Sequence, residues 1–305
     1  VLVIGAAGID IVGRSTEELV QGVSSQAQIR TTFGGVARNV AETLASLGQP
    51  VTLLSVVGKD GAGEALLKQA AACGIDQSRV LMTPDHSTSS YLAVLDKYGE
   101  VAYALDDMRA LDCLSSDYFR QNADLFKQSS LLFIDANVSS AALRTIVTLA
   151  KRAHLPICAD PATTNLAHRL LPYLDSLYMV TPNLSEASLL CGYPIQASYR
   201  KQAVEAAKHL VSKGVDIAII ALGENGVCYA TSETSGSVPA LSTKVTDPTG
   251  AGDALTASVI FGLLNDIPLD EAIRLGVSAA SLTLNYHGAV VPDLTLEILY
   301  DHLVT

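Results

Sequence analysis

Short apolar runs alternate with segments of helical period along most of this chain. Val1–Gly5, Val51–Val57, Leu131–Ile134, Ile157–Ala159, Leu177–Val180 and Ile217–Ala221 each predict a short buried strand. Between the first two, Val36, Val40, Leu44 and Leu47 recur at spacings of four, four and three before Gly48. That spacing is an amphipathic helix with a glycine stop. Ala62–Cys73 before Gly74, Ala141–Ala153, Lys201–Lys213 before Gly214, and two consecutive segments near Ala251–Asn265 and Asp270–Asn285 have the same character. Strand and helix in alternation predict a mainly parallel sheet with helices on both faces.

Two segments break the alternation. Ser90–Leu95 and Val101–Leu105, separated by Asp96-Lys97-Tyr98-Gly99-Glu100, predict a hairpin. Ile9–Phe33 is polar, contains Gly13 and Gly22, and lacks a helical face. The two could pair into a small sheet that covers a ligand, and ordinary decoration is an equal reading of the pattern alone. No repeat, low-complexity tract or linker divides residues 1–305, so the chain reads as one domain.

Of the 305 residues, 49% are hydrophobic and 17% charged, enough for a sizeable core and unlike a disordered chain. Lys+Arg 20 against Asp+Glu 31 leaves a net charge of −11, which argues against binding duplex nucleic acid or an anionic membrane. No apolar run approaches the roughly 18 residues of a membrane span. The chain opens directly on a strand, with no basic segment ahead of it, so it does not read as a signal peptide. It starts without Met, as a sequence lacking a few native residues would. Five scattered cysteines with no CxxC predict reduced thiols in a cytoplasmic protein, and the six histidines show no ligand spacing.

The sharpest motif is Asp247-Pro248-Thr249-Gly250-Ala251-Gly252-Asp253-Ala254, ahead of a helical segment. Small residues at a helix start let backbone N–H groups converge, and the macrodipole adds partial positive charge, so the turn suits an anion. Asp253 would repel that anion unless it has another task. Accepting the proton of a hydroxyl that attacks phosphorus is such a task. A glycine turn with Asp253 as a helix cap is the plain alternative. Gly58-Lys59-Asp60-Gly61-Ala62-Gly63 is not a Walker A sequence, and Gly5-Ala6-Ala7-Gly8 lacks the third glycine of a dinucleotide fingerprint. Gly34-Gly35-Val36-Ala37-Arg38-Asn39 opens the second helix, where paired glycines permit close approach and the Asn39 amide either meets sugar hydroxyls or is solvated. Asn183-Leu184-Ser185-Glu186 predicts a capping box or a carboxylate that holds hydrated Mg²⁺. Leu222-Gly223-Glu224-Asn225-Gly226 is a turn between strands, where backbone can approach a phosphate.

In this order along one chain, the motifs resemble those of the ribokinase-like (PfkB) carbohydrate and nucleoside kinases. Gly34-Gly35 with Asn39 matches the N-terminal signature, and Asp247 to Asp253 the C-terminal one. Ser89 to Asp96, Asp106-Asp107-Met108 and Asp135 to Ser139 are similar to members whose acceptor is pseudouridine. The resemblance implies a ribokinase-like three-layer α/β sandwich with a small β-sheet lid from residues about 10–33 and 87–107. It implies ATP with Mg²⁺ as donor and the 5′-hydroxyl of pseudouridine as acceptor. By the same resemblance Asp253 is the base, and the N–H groups of Gly250, Ala251 and Gly252 form the anion hole. Asp10, Gly35 and Asn39 would hold the ribose, with Asn137 toward the nucleobase. Asn183 and Glu186 would organise Mg²⁺ through water, Gly223 and Gly226 would line the nucleotide, and Asp247 and Thr249 would hold a monovalent cation such as K⁺. A free lid edge further predicts a homodimer. Ribose, another nucleoside or a phosphorylated sugar are alternative acceptors, although Arg14, Arg38 and Arg109 are few basic groups for the last of these. A catalytically silent ligand-binding protein is the other class, against which the intact Asp253 and its glycines argue.

Overall fold

The computed structural model describes residues 1–196 and 200–304. Its frame is a nine-stranded sheet in the order Ser235–Val238, Val227–Ala230, Ile217–Ala221, Met179–Val180, Ile157–Asp160, Leu132–Asp135, Leu2–Ile4, Val51–Leu54, Ile75–Asp76. From Ile217–Ala221 onward every pairing is parallel, and the first two strands form an antiparallel edge. Period-two alternation splits the core between the two faces. Leu2, Ile4, Leu132 and Ile134 pack under the helices Ser140–Ala153, Leu184–Cys191 and Arg200–Ser212. Val3, Leu131 and Phe133 pack under Val36–Ser46, Ala251–Leu264 and Leu269–Asn285. The three layers and the mainly parallel sheet agree with the alternation in the sequence.

Boundaries differ where tertiary contacts override the local pattern. Val51–Val57 is two strands broken at buried Ser55, whose hydroxyl donates to the Gly5 carbonyl at 2.6 Å. Beyond that break, Val56–Gly58 leaves the main sheet and pairs with Leu81–Thr83. Ser116–Gln121 and Ala123–Gln128, six residues each, are helices too short to impose a readable period.

The two excursions do pair. A four-stranded sheet runs Ala27–Gly34, Gly8–Ser15, Ser89–Leu95, Val101–Asp107, with the inner pair parallel. One face of it carries Asp10, Arg30, Tyr91 and Asp106. The other carries Ile11, Ile29, Leu92, Tyr103 and Leu105, and Ile29, Tyr103 and Leu105 are about two-thirds exposed. Among the described residues all five cysteines are free, and no helix is long and apolar enough to cross a membrane.

Candidate active site

Parallel strands place their carboxyl ends along one edge of the main sheet, and the candidate residues gather there. Gly250 caps the helix Ala251–Leu264 with φ +79°. A Cβ at that position would fall 2.0 Å from the Ala289 carbonyl oxygen, so only glycine lets the turn close. The first N–H groups of the helix have no acceptor one turn back, which leaves Ala251 and Gly252 free to meet an anion. A Cβ built on Gly252 meets nothing within 4 Å, so this side of the turn is open.

Asp253 sits in that first turn. Its Oδ2 accepts a 2.7 Å hydrogen bond from Asn39 Nδ2, across from the N-terminal helix Val36–Ser46. Asn39 is buried, and its Oδ1 in turn accepts from Arg38 Nη1 at 3.0 Å. Buried Arg38 also donates to the Phe33 carbonyl at 3.0 Å and pairs with Glu42 one turn along. The amide orientation of Asn39 is therefore fixed by a guanidinium, which can only donate. Desolvation pushes the Asp253 carboxyl up to about 7, with the charges of Asp135 and Asp10 adding to it and Asn39 and Arg38 working against it. A carboxylate poised near neutrality suits proton transfer.

A cavity of about 840 Å³ opens over Asp253, lined also by Asp10, Gly35, Asn39, Asn137 and Thr249. Asp10 reaches it from the small sheet, its carboxyl raised to about 6 by burial, with Arg38 working against that rise and Asp247 adding to it. Gly34 makes room for Asp10, since a Cβ there would lie 2.2 Å from Oδ2. Gly35, at φ +95°, lies against the Ala6 carbonyl in the same way. The glycine pair thus serves close internal packing as well as the cavity wall. Fully buried Asp135 accepts from Ala6 N at 2.8 Å, Ala37 N at 3.1 Å and Asn137 N at 2.9 Å. The chain's own carboxylate therefore fills the N-terminus of the Val36–Ser46 helix, and the loop carrying Asn137 is tied to it. Tyr91, Asp106 and Met108 complete the wall from the small sheet and the turn after it, whereas Arg14 and Arg38 do not line the cavity.

The remaining candidates lie on neighbouring strand ends, outside this cavity. Asn183 and Glu186 form a full capping box: Glu186 N donates to Asn183 Oδ1 at 3.0 Å, and Asn183 N to Glu186 Oε2 at 2.8 Å. Burial raises the Glu186 carboxyl. Asp160, at the end of Ile157–Asp160, is inconspicuous in the sequence because it is the tail of an apolar run. It is buried, holds Ala162 N at 2.7 Å, and is raised by burial and by the charges of Asp253 and Glu186. Three carboxylates that raise or feel one another's charge invite a cation. Among the described residues no group of three His, Cys, Asp or Glu is placed to hold a metal directly. Gly223 (φ +58°) and Gly226 (φ +83°) shape the turn after Ile217–Ala221, beside Asn183, which bridges to Ala221.

Asp247 has partners from this chain on both oxygens. Thr249 N donates to Oδ1 at 3.0 Å, and Arg30 of the small sheet pairs with Oδ2 while donating to His287 Nδ1 at 3.1 Å. Arg30 carries no mark in the sequence, because its strand has no motif and its partner is 217 positions away.

A model of the pfkB family of carbohydrate kinases matches residues 1–296. The chain is 33% identical over 298 residues to pseudouridine kinase of Escherichia coli, covering 97% of this chain and 94% of that protein. It is 27% identical to guanosine-inosine kinase of Exiguobacterium acetylicum, over 96% and 97% of the two chains. The structure of Arabidopsis thaliana ribokinase complexed with ribose and ATP superposes with a TM-score of 0.86 at 22% identity, covering 100% of this chain and 98% of that one.

Proposed function

Because this chain belongs to the pfkB family of carbohydrate kinases, phosphotransferases with alcohol acceptors, we propose that it phosphorylates the 5′-hydroxyl of pseudouridine with ATP. The observation that carries the reading is Asp253, held by Asn39 at 2.7 Å at the head of a helix whose glycine turn is open to an anion. The choice of pseudouridine is supported by the 33% identity to a kinase of that name over nearly the whole chain.

In this mechanism the acceptor lies in the cavity with its 5′-hydroxyl at Asp253. The hydroxyl oxygen bonds to the γ-phosphorus of ATP, the bond from that phosphorus to the β–γ bridging oxygen breaks, and ADP leaves. Asp253 takes the hydroxyl proton. Asn39 fixes one carboxylate oxygen and so leaves Oδ1 for the acceptor. Asp10, Asn39 and Gly35 hold the ribose, and Asn137 faces the base. The amides of Gly250, Ala251 and Gly252 meet the three-oxygen phosphoryl group as it passes. They supply positive potential in a chain whose net charge repels ATP at long range. The donor side is assigned to the ends of Met179–Val180 and Ile217–Ala221, with Gly223 and Gly226 along the nucleotide.

Glu186 and Asp160 fit Mg²⁺, since burial raises both carboxyls and a nearby dication would offset that cost, as well as the charges of Asp253 and Glu186 that add to the rise at Asp160. When bound, Mg²⁺ neutralises charge on the β- and γ-phosphate oxygens. Asp247 fits a monovalent cation less well, because Thr249 N and Arg30 engage its two oxygens. No step is assigned to K⁺.

The small sheet is the lid of this reading, excluding water that would otherwise hydrolyse ATP. Its outer face supports a homodimer, with Ile29, Tyr103 and Leu105 forming an apolar patch that a second copy would cover. The test is ATP consumption with Mg²⁺ against pseudouridine, uridine, inosine and ribose. Preference for pseudouridine is the expected result. Preference for ribose or inosine removes the acceptor and keeps the kinase, and no turnover of any acceptor despite ATP binding refutes the reading.

A further inference from the structure

The far wall of the cavity holds a cation that the mechanism does not use. Arg169, in the 3₁₀ segment Ala167–Ser176, donates through Nη1 to the carbonyls of Ala136 at 3.0 Å, Asn137 at 3.1 Å and Val138 at 2.9 Å. These contacts clamp the loop that presents Asn137, and they use one nitrogen of three. Among the described residues no carboxylate pairs with Arg169, and its Nε and Nη2 have no protein partner. Neither nitrogen is among the buried atoms left without a partner, so this edge of the guanidinium is accessible, and Arg169 lines the cavity. The other arginine of the cavity is committed: Arg109 pairs with Asp107 at 2.6 Å.

A guanidinium edge donates and never accepts, so its ligand must present oxygen or an unprotonated nitrogen. A phosphate would satisfy it, but Asp10, Asp106, Asp107, Asp112 and Asp253 line the same cavity against only Arg109 and Arg169. That balance repels a dianion and tolerates a neutral acceptor. Asn137 and Asn165, on the same wall, offer amides that pair with either donors or acceptors of a heterocycle.

We infer that Arg169 is a specificity-determining residue that hydrogen-bonds a carbonyl oxygen of a neutral nucleobase through its free guanidinium edge. This rests on the proposed nucleoside acceptor and sharpens it. Removing the base carbonyl strands a charged donor that is part of the cavity wall, which is how a polar site rejects an analogue lacking its partner.

The test sets three enzymes against two acceptors. Wild type, Arg169→Lys and Arg169→Gln are assayed with pseudouridine and with a C-linked phenyl riboside, which has a ring of similar size and no carbonyl. Melting curves check the fold. Wild type should prefer pseudouridine, and both variants should lose roughly 10- to 100-fold in kcat/KM for it, the range of a hydrogen bond to a charged group. Their kcat/KM for the phenyl riboside and their KM for ATP should stay within about twofold of wild type. An equal fall for both acceptors in a folded variant would reduce Arg169 to a loop clamp, and no fall with pseudouridine would overturn the inference. If wild type uses the phenyl riboside as well as pseudouridine, the inference fails while the kinase stands. If it uses neither and takes only ribose, the nucleoside reading fails with it.

Discussion

Replacing Asp253 with Asn should abolish turnover and make the protein more stable at alkaline pH. The carboxyl moves from an ordinary value of 3.8 to about 7 on folding, chiefly by desolvation. An acid raised on folding binds its proton more tightly in the native state. Stability is therefore full below about pH 4, falls as pH rises toward 7, and stays reduced above it. A shift of about three units is worth about 4 kcal/mol. The asparagine that replaces Asp253 has no charge to desolvate. Its amide oxygen can still accept from Asn39 Nδ2, so the variant escapes the whole penalty without losing the hydrogen bond. For a chain of 305 residues, about 4 kcal/mol corresponds to a rise of roughly 6 °C in Tm. Thermal unfolding of both proteins at pH 8 and pH 4.5, without ligands, measures the effect. The gain should be nearly whole at the higher pH and shrink to about a quarter of that, about 1 kcal/mol, at the lower one. Phosphoryl transfer by the same sample should fall by about three or more orders of magnitude, at or beyond the upper end of general-base effects. Equal melting at pH 8, or a gain that persists unchanged at pH 4.5, would refute the desolvated-charge argument. Near-native turnover in the folded variant would refute the base.

The same poised carboxyl predicts that kcat/KM declines with unit slope below about pH 7, since the base must be ionised. Asn39→Ala removes a hydrogen bond that favours the ionised form, so its acid limb should move to higher pH; an unmoved limb would mean that Asn39 does not tune the base. Exchanging K⁺ for tetramethylammonium at constant ionic strength should leave turnover within about twofold, because Arg30 already supplies a cation at Asp247. Strong activation by K⁺ would show that Arg30 gives up its place. Leu105→Asp, on the outer face of the small sheet, should give a monomer in light scattering with ATP affinity unchanged, and a wild type already monomeric would remove the interface.

The alternation of apolar runs and helical periods carried the three-layer architecture, because both signals are local and repeat along the chain. The pairing of the two excursions was open in the sequence: the hairpin Ser89–Leu95 with Val101–Asp107 follows from its turn, but its parallel register against Gly8–Ser15 is a tertiary fact. Glycine motifs marked the turn at Gly250 and the helix start at Gly35, where backbone geometry itself demands the residue. Asp160, Arg30 and Arg169 carried no such mark. Each is an isolated charged residue whose role comes from partners brought to it by the sheet edge, and spacing along a chain does not encode that. Asn183 with Glu186 shows the opposite limit, since a local motif identified the capping box and left open what else Glu186 meets.

The pair between Arg30 and Asp247 has a kinetic consequence. It joins the small sheet directly to the residue that begins the glycine turn, and Asp247 is almost wholly buried. When the sheet lifts, that carboxylate loses its cation while staying poorly solvated, so the open form is disfavoured. If the small sheet moves as the proposed lid, the closed form is the favoured one, and lifting the sheet to release product is expected to be the slow step of the cycle. Weakening this one ion pair would speed release, at the cost of letting water reach the γ-phosphate before the next acceptor arrives.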